Sequence, residues 1–475
     1  MINAVHDGAL PVRNLWTALA ILEAARSGRR ASELDAAADM VALDGWVRWR
    51  EQLAQQPTPR LISDDEFSRA EKAPMLPATS ATVDSQLALM DQIPPESTAV
   101  FFQWHHDRDF SRRAFVLSGG EIRTVELDTE RRADAQLALL GSGVRSGDHR
   151  RISAALEELR QMLVDPLAGA LSQSEGPLVF LPDGELHAVP LGAIGGDNPR
   201  LLHASSYGSL KAWSNASRAS TAVAPDFSIG PTIFANPMPP ITPMPGTGKP
   251  ANHDRLPATL TEAAAIADSW AGSRILSGAA ASESEALAAL TGGTAWLHFA
   301  THVKIQPDDP LNSSLQLAPD DRSDGWLTVR ELSKLRLPPK VVLLSACESA
   351  AGRRLTGEGL IGLTSTLLDA GAVSVAANLW PIDDALASRF VSRWYARLRS
   401  GLPLGAALAE TRQEFAAAGY PASAWAGWII AGDSAVALSE GERTPQRMLW
   451  AIGGGIMLVG ALLLALSRSR RTQAN

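Results

Sequence analysis

The spacing of apolar residues changes period as the chain is followed from one end to the other. Between residues 12 and 57 apolar positions recur at helical spacing (Leu15, Leu19, Leu22, then Leu34, Met40, Val41, Leu43, Trp46, Trp49, Leu53), which predicts two or three helices. No second copy of a unit of about 34 residues follows, so a repeat solenoid is not predicted. Residues 57–97 are polar with several prolines, the composition of a linker. Alternation then takes over. Residues 97–104, 113–117 and 121–127 read as strands, separated by the polar turn 105–109 and by Ser118-Gly119-Gly120, and predict an antiparallel meander. Residues 129–173 return to helical spacing.

From Pro177 onward the pattern changes again. LVFL (178–181), TIFA (232–235), AWLHFA (295–300), VVLLSA (341–346) and VSVAANLW (373–380) are apolar runs of strand length. Helical patterns lie among them at 262–271 and 359–370, and after them at 384–400 and 404–418. Continuous apolar strands separated by helices predict an α/β fold, a mostly parallel sheet with helices on both faces. The proline-rich stretch 214–255 reads as a surface excursion around TIFA. The chain divides into a helical region (1–60), a linker (61–96), the α/β domain (97–433), a juxtamembrane linker (434–447), an apolar helix (448–466) and a basic tail (467–475).

The apolar helix changes the picture most. Residues 448–466 carry no charge, and as a helix they span about 28 Å, the thickness of a bilayer's hydrocarbon core. Trp450 sits near one edge, and Arg468, Arg470 and Arg471 follow at once, where they reach headgroups. This predicts a single-pass membrane anchor near the C-terminus. The three arginines of the tail outnumber Arg443 and Arg447 before the span, which mildly favours a cytoplasmic tail. Residues 1–445 show no secretory signal, however, and a short tail crosses a bilayer more easily than a folded domain does, so the domain is placed in the cytoplasm.

Composition removes other classes. With 45% hydrophobic and 20% charged residues the chain is ordinary globular material. A formal net charge of -8 argues against a nucleic-acid partner, which needs a basic face. The one cysteine, Cys347, excludes an internal disulfide and any zinc site with two thiolates. No metal or cofactor is called for.

Two strands run into reactive side chains: AWLHFA into Thr301-His302, and VVLLSA into Cys347. In open α/β sheets the working crevice lies at the carboxyl ends of the strands. As parallel neighbours, these two would bring His302 and Cys347 together there. A thiol near its free pKa is mostly protonated, and an imidazole within reach takes the proton and passes it to a leaving amine. The backbone N–H groups of Val303 and Cys347 are candidate oxyanion donors. Beside this stands the plainer reading of Cys347 as a packing residue at the end of an apolar run. His298, inside the strand, reads as a satisfied core histidine.

FATH (299–302) and LLSACESAAG (343–352) resemble the histidine and cysteine motifs of the CHAT domain, a family of caspase-like cysteine peptidases related to separase. FLPDGELHAVPLGAI (180–194), LTVREL (327–332), GEGLIGLTSTLLDAGAVSVAANLWPIDD (357–384) and YPASAWAGWIIAGD (420–433) match further, in order, so that the resemblance covers 98–433. It implies a caspase-like fold with His302 as general acid–base and Cys347 as nucleophile. Ser345, Glu348, Asp383 and Asp384 are the candidate substrate-pocket residues. Ser345 stands where many basic-specific relatives carry an aspartate, which counts against a preference for basic residues.

The expected function is thus a membrane-anchored cysteine endopeptidase acting on a protein or peptide substrate, and the resemblance adds stress, defence or cell-death signalling. Sites of this type are often latent until an activator orders a loop; 352–359, with Arg353 and Arg354, is where a mobile or self-cleaved segment is expected. The alternative is a non-catalytic membrane-tethered scaffold using the same fold.

Overall fold

A computed structural model describes residues 97–104, 112–118, 121–127, 132–172, 176–196, 198–207, 210–221, 227–246, 256–306, 309–345, 352–355 and 359–438. The sequence readings of residues 1–96 and of the apolar helix 448–466 with its tail lie outside these. No helix among the described residues is long and apolar enough to cross a membrane.

The alternating segment folds as the meander its pattern predicts: β1 (Thr98–Gln103), β2 (Arg113–Ser118) and β3 (Glu121–Glu126), antiparallel in register. Two helices follow, α1 (Arg132–Ser146) and α2 (His149–Leu163). Asp148 starts α2 by accepting the N–H groups of Arg150 and Arg151 on its side chain, satisfying two donors the helix cannot. LVFL becomes β4 (Leu178–Leu181), and β5 (Ser205–Ser206) joins it. Here the sequence reading is corrected: β4 pairs in parallel with β1, giving a five-stranded sheet in the order β3-β2-β1-β4-β5, and does not enter the later parallel sheet. Its pattern sets strand conformation, whereas the partner is chosen by burial on both faces. Val100, Phe102, Val116 and Phe180 pack under α1 and α2, while Phe101, Phe115 and Val179 face the second sheet's core.

The second sheet forms from β6 (Thr232–Pro237), β7 (Arg274–Gly278), β8 (Trp296–Ala300), β12 (Val341–Leu344), β15 (Ser374–Asn378) and β16 (Trp428–Gly432), in the order β16-β15-β12-β8-β6-β7. All pairings are parallel except that of β15 with the edge strand β16. Between β8 and β12 lies a small antiparallel sheet of β9 (Val303–Lys304), β10 (Ser314–Gln316) and β11 (Trp326–Thr328).

Both faces of the six-stranded sheet are covered, as continuous apolar strands require. Leu297, Phe299, Val342, Leu344 and Val375 face α3 (Leu210–Thr221), α5 (Glu283–Thr291) and α6 (Leu363–Ala370). Trp296, Ala300, Val341, Leu343 and Ala376 face α4 (Ala258–Ser269), α7 (Asp384–Arg399) and α8 (Leu404–Ala417). Phe390 of α7 stacks on Trp428 with ring centroids 5.4 Å apart, and Tyr395 stacks on Trp296 at 5.5 Å. Each such side chain, fully buried, contributes about 1.5–3 kcal/mol.

Four sequence assignments shift. The helix read over 359–370 begins only at Leu363; Gly359–Gly362 is a strand, β14, paired antiparallel with β13 (Gly352–Leu355). Glycine at both ends of this stretch is a poor helix former. The region read as a free loop over 352–359 therefore holds half of a hairpin. Gly371, at φ 124°, ends α6, where a Cβ would meet the Leu337 carbonyl oxygen at 2.6 Å. The stretch read as an excursion begins inside α3, whose Trp213 and Ala216 are buried in the core. Residues 434–438, assigned by sequence to the juxtamembrane linker, pack back on the fold: Leu404 and Gly405 donate to the carbonyls of Val436 and Ser434, and Leu438 is fully buried.

Candidate active site at the carboxyl edge of the sheet

Strands β8 and β12 are parallel neighbours, with Leu344 opposite Phe299, so both chains leave the sheet at the same edge. Beyond β8 the chain passes through Thr301 to His302. Beyond β12 it reaches Ser345. Cys347 and Glu348 lie outside the described residues.

The backbone at His302 is held firmly. The Gln316 N–H donates to the His302 carbonyl at 2.9 Å, and the Thr301 hydroxyl donates to the Gln316 carbonyl. The small sheet β9–β11 thereby clamps the turn that carries the imidazole. In an antiparallel pair hydrogen-bonded and non-bonded positions alternate. With His302 bonded to Gln316, the next pair, Val303 and Leu315, is non-bonded. The Val303 N–H therefore points away from β10.

Asp383 and Asp384 separate into two roles. Asp383 is the N-cap of α7, its Oδ1 accepting the N–H groups of Ala385 and Leu386 at 3.1 Å each. Asp384, the first residue of α7, lies near His302. Burial raises the Asp384 carboxyl above its ordinary range, His302 works against that rise, and the charges of Asp383 and Glu262 add to it. The aspartate and the imidazole are thus electrostatically coupled.

Asp384 and Ser345 line one small cavity of about 20 Å³, room for a single water, together with Thr301, Asn378, Glu262 and Ile382. The structure therefore brings together Ser345, Asp384 and the turn bearing His302. It places Asp383 at the exposed start of α7 instead. Sequence reasoning missed Thr301, Asn378 and Glu262. For the first two a signal existed: each is polar at the carboxyl end of an otherwise apolar strand. Asn236, at the end of β6 with φ 45°, adds to this edge by accepting the Leu256 N–H at 3.0 Å, which fixes the approach to α4.

Below the edge, in the sheet's centre, His298 is fully buried. Its Nε2 lies 2.6 Å from Glu262 Oε1 and its Nδ1 2.9 Å from the Tyr395 hydroxyl. Burial, and then the Glu262 charge, suppress ionisation of Tyr395, so its hydroxyl keeps its proton. Both ring nitrogens are satisfied, as the core reading of His298 expects. Among the described residues no three His, Cys, Asp or Glu side chains gather to hold a metal ion.

The model of the CHAT domain matches residues 153–433. Tetratricopeptide repeat protein 28 is 27% identical in its human form and 30% identical in its mouse form, each match covering 61% of this chain. The chain spans 14% of the length of these curated relatives. Among solved structures, separase in the separase–securin complex of Saccharomyces cerevisiae superimposes with a TM-score of 0.52 at 11% identity, covering 78% of this chain and 32% of that one. That likeness is one of fold.

Proposed function

This chain belongs to the CHAT domain family, and from that premise we propose that it is a cysteine endopeptidase with Cys347 as nucleophile and His302 as general acid–base. One observation carries the reading: the parallel pairing of β8 and β12, which delivers the chain before Cys347 to the edge where His302 stands. Cys347 lies two positions beyond Ser345, a reach of at most about 7 Å.

In this reading His302 takes the thiol proton and the thiolate attacks a peptide carbonyl. The oxyanion is met by the N–H groups of Val303 and Cys347. His302 then gives its proton to the leaving amine, and water, deprotonated by the same imidazole, hydrolyses the thioester. Asp384 favours the imidazolium formed on the way. Ser345 and Glu348, on either side of the nucleophile in sequence, and Asp384 are the residues assigned to meet the substrate side chain. The membrane tether belongs to the same proposal and rests on the uncharged run 448–466, which would hold the enzyme at a membrane surface with its domain in the cytoplasm. Its partners are then a protein or peptide substrate and an activator acting on the region of the β13–β14 hairpin.

The test is a peptide library offered to the full-length chain beside its Cys347→Ala variant. Cleavage by the first and none by the second is expected. Identical product profiles, or no cleavage by either under any activating condition, would leave the fold as a scaffold.

A further inference from the structure

Where the two sheets meet, α2 and α8 part around a cavity of about 360 Å³, the size of a small-molecule site. Its walls are largely apolar, built from Leu156, Ile194, Leu202, Trp425 and Ala426. Arg412 also lines it. This side chain is 4% exposed, yet among the described residues it has no carboxylate partner. Its one hydrogen bond there runs from Nη2 to the Trp428 carbonyl, and its Nε makes none. Burial works against the charge. An arginine offers five N–H donors in a planar fork, and burying that fork uncompensated is costly.

The other charged groups of the cavity cannot compensate it. Glu157 is engaged by Arg160, with Nη2 2.7 Å from Oε1, and Arg160 also holds Asp165 at 2.6 Å. That cluster lies at the rim and is closed on itself. Among the described residues, what remains is one unmatched, buried positive charge lining an apolar cleft.

We propose that this cleft binds a small organic acid, its carboxylate paired with the Arg412 guanidinium and its apolar body lying against Ile194 and Trp425. A single guanidinium balances the charge of one carboxylate. A phosphate dianion would bring a second charge, and the lining supplies no free cation for it. The site lies away from the β8–β12 edge and uses none of the residues assigned to peptide cleavage, so it stands whether or not the chain is a peptidase.

The probe is 3-phenylpropionate, with 3-phenylpropanamide and inorganic phosphate as comparisons, titrated calorimetrically into the full-length chain and followed by thermal melting. The acid is expected to bind and raise the melting temperature, the amide at least about tenfold more weakly, and phosphate not at all. Arg412→Lys should weaken the acid and leave the amide unchanged. Should that variant fail to fold, Ala416→Trp, at an exposed position on the cavity wall, keeps Arg412 and should block the acid. Equal binding of acid and amide, retention of acid binding in Ala416→Trp, or no binding by any aryl or alkyl carboxylate in a graded series overturns the proposal.

Discussion

The centre of the six-stranded sheet and its carboxyl edge each hold a histidine from the same stretch of chain, and the two are treated in opposite ways. His298 is sealed between α4 and α7 with both ring nitrogens occupied, by Glu262 and by Tyr395. His302, four residues on, is half-buried on a turn clamped through its backbone, with Asp384 coupled to its ring. A ring whose nitrogens are both engaged in the interior can hold structure together but cannot exchange a proton with a substrate. The His302 ring instead stands at the sheet's edge, half-buried, where the proposed chemistry needs a proton carrier. Position along the strand, not residue type, decides between the two.

The largest effect should come from the edge. His302→Ala is expected to lower peptide cleavage by about a thousandfold while moving the urea denaturation free energy by no more than about 0.5 kcal/mol. The central histidine should behave in reverse. His298→Ala leaves the Glu262 carboxylate buried without its partner and should cost about 3–5 kcal/mol, with residual activity following the folded fraction; a folded, inactive variant would erase the distinction between centre and edge.

A buried carboxylate on the opposite face sharpens the same point. Burial, then the charge of Glu331, raises Glu283 to about 7, although its Oε2 accepts the Gly325 N–H at 2.8 Å. A carboxylate whose folded pKa is raised binds its proton more tightly when folded, so the native chain loses stability as pH climbs from 4.5 through 7. Glu283→Gln, which keeps an acceptor for Gly325, should match the parent below about pH 4 and exceed it by about 3 kcal/mol above pH 7, as read from denaturation curves across pH. The smallest effect belongs to Asp384→Asn. The helix start remains capped by Asp383, and cleavage should fall about tenfold as the imidazolium loses its neighbouring charge. A loss as large as that of His302→Ala would make Asp384 part of the proton-transfer machinery itself.

Much of this architecture was legible in the sequence. The meander, the apolar strands and His302 after AWLHFA all follow from period and strand ends. The edge strand β7 was not legible, because only Leu276 of its residues is buried and alternation over so short a segment is faint. The strands β9–β11 have two or three residues each, too few for a period to register. The pairing of Glu262 with His298 joins a helix to a strand 36 residues apart in a buried contact that no local pattern announces. Arg412 lies inside the helical pattern 404–418 with no local mark of burial; only the way α8 meets β16 shows it to be buried.

The antiparallel strand β16 has one further consequence. On its outer side β5 of the five-stranded sheet lies alongside it, and the Ser434 N–H reaches the Ser205 hydroxyl across the seam. The flank where a foreign strand would dock is thus occupied by the chain's own N-terminal half. Backbone-mediated accretion of further molecules is blocked on that side; among the described residues the opposite flank, β7, carries an exposed Arg274–Glu285 ion pair.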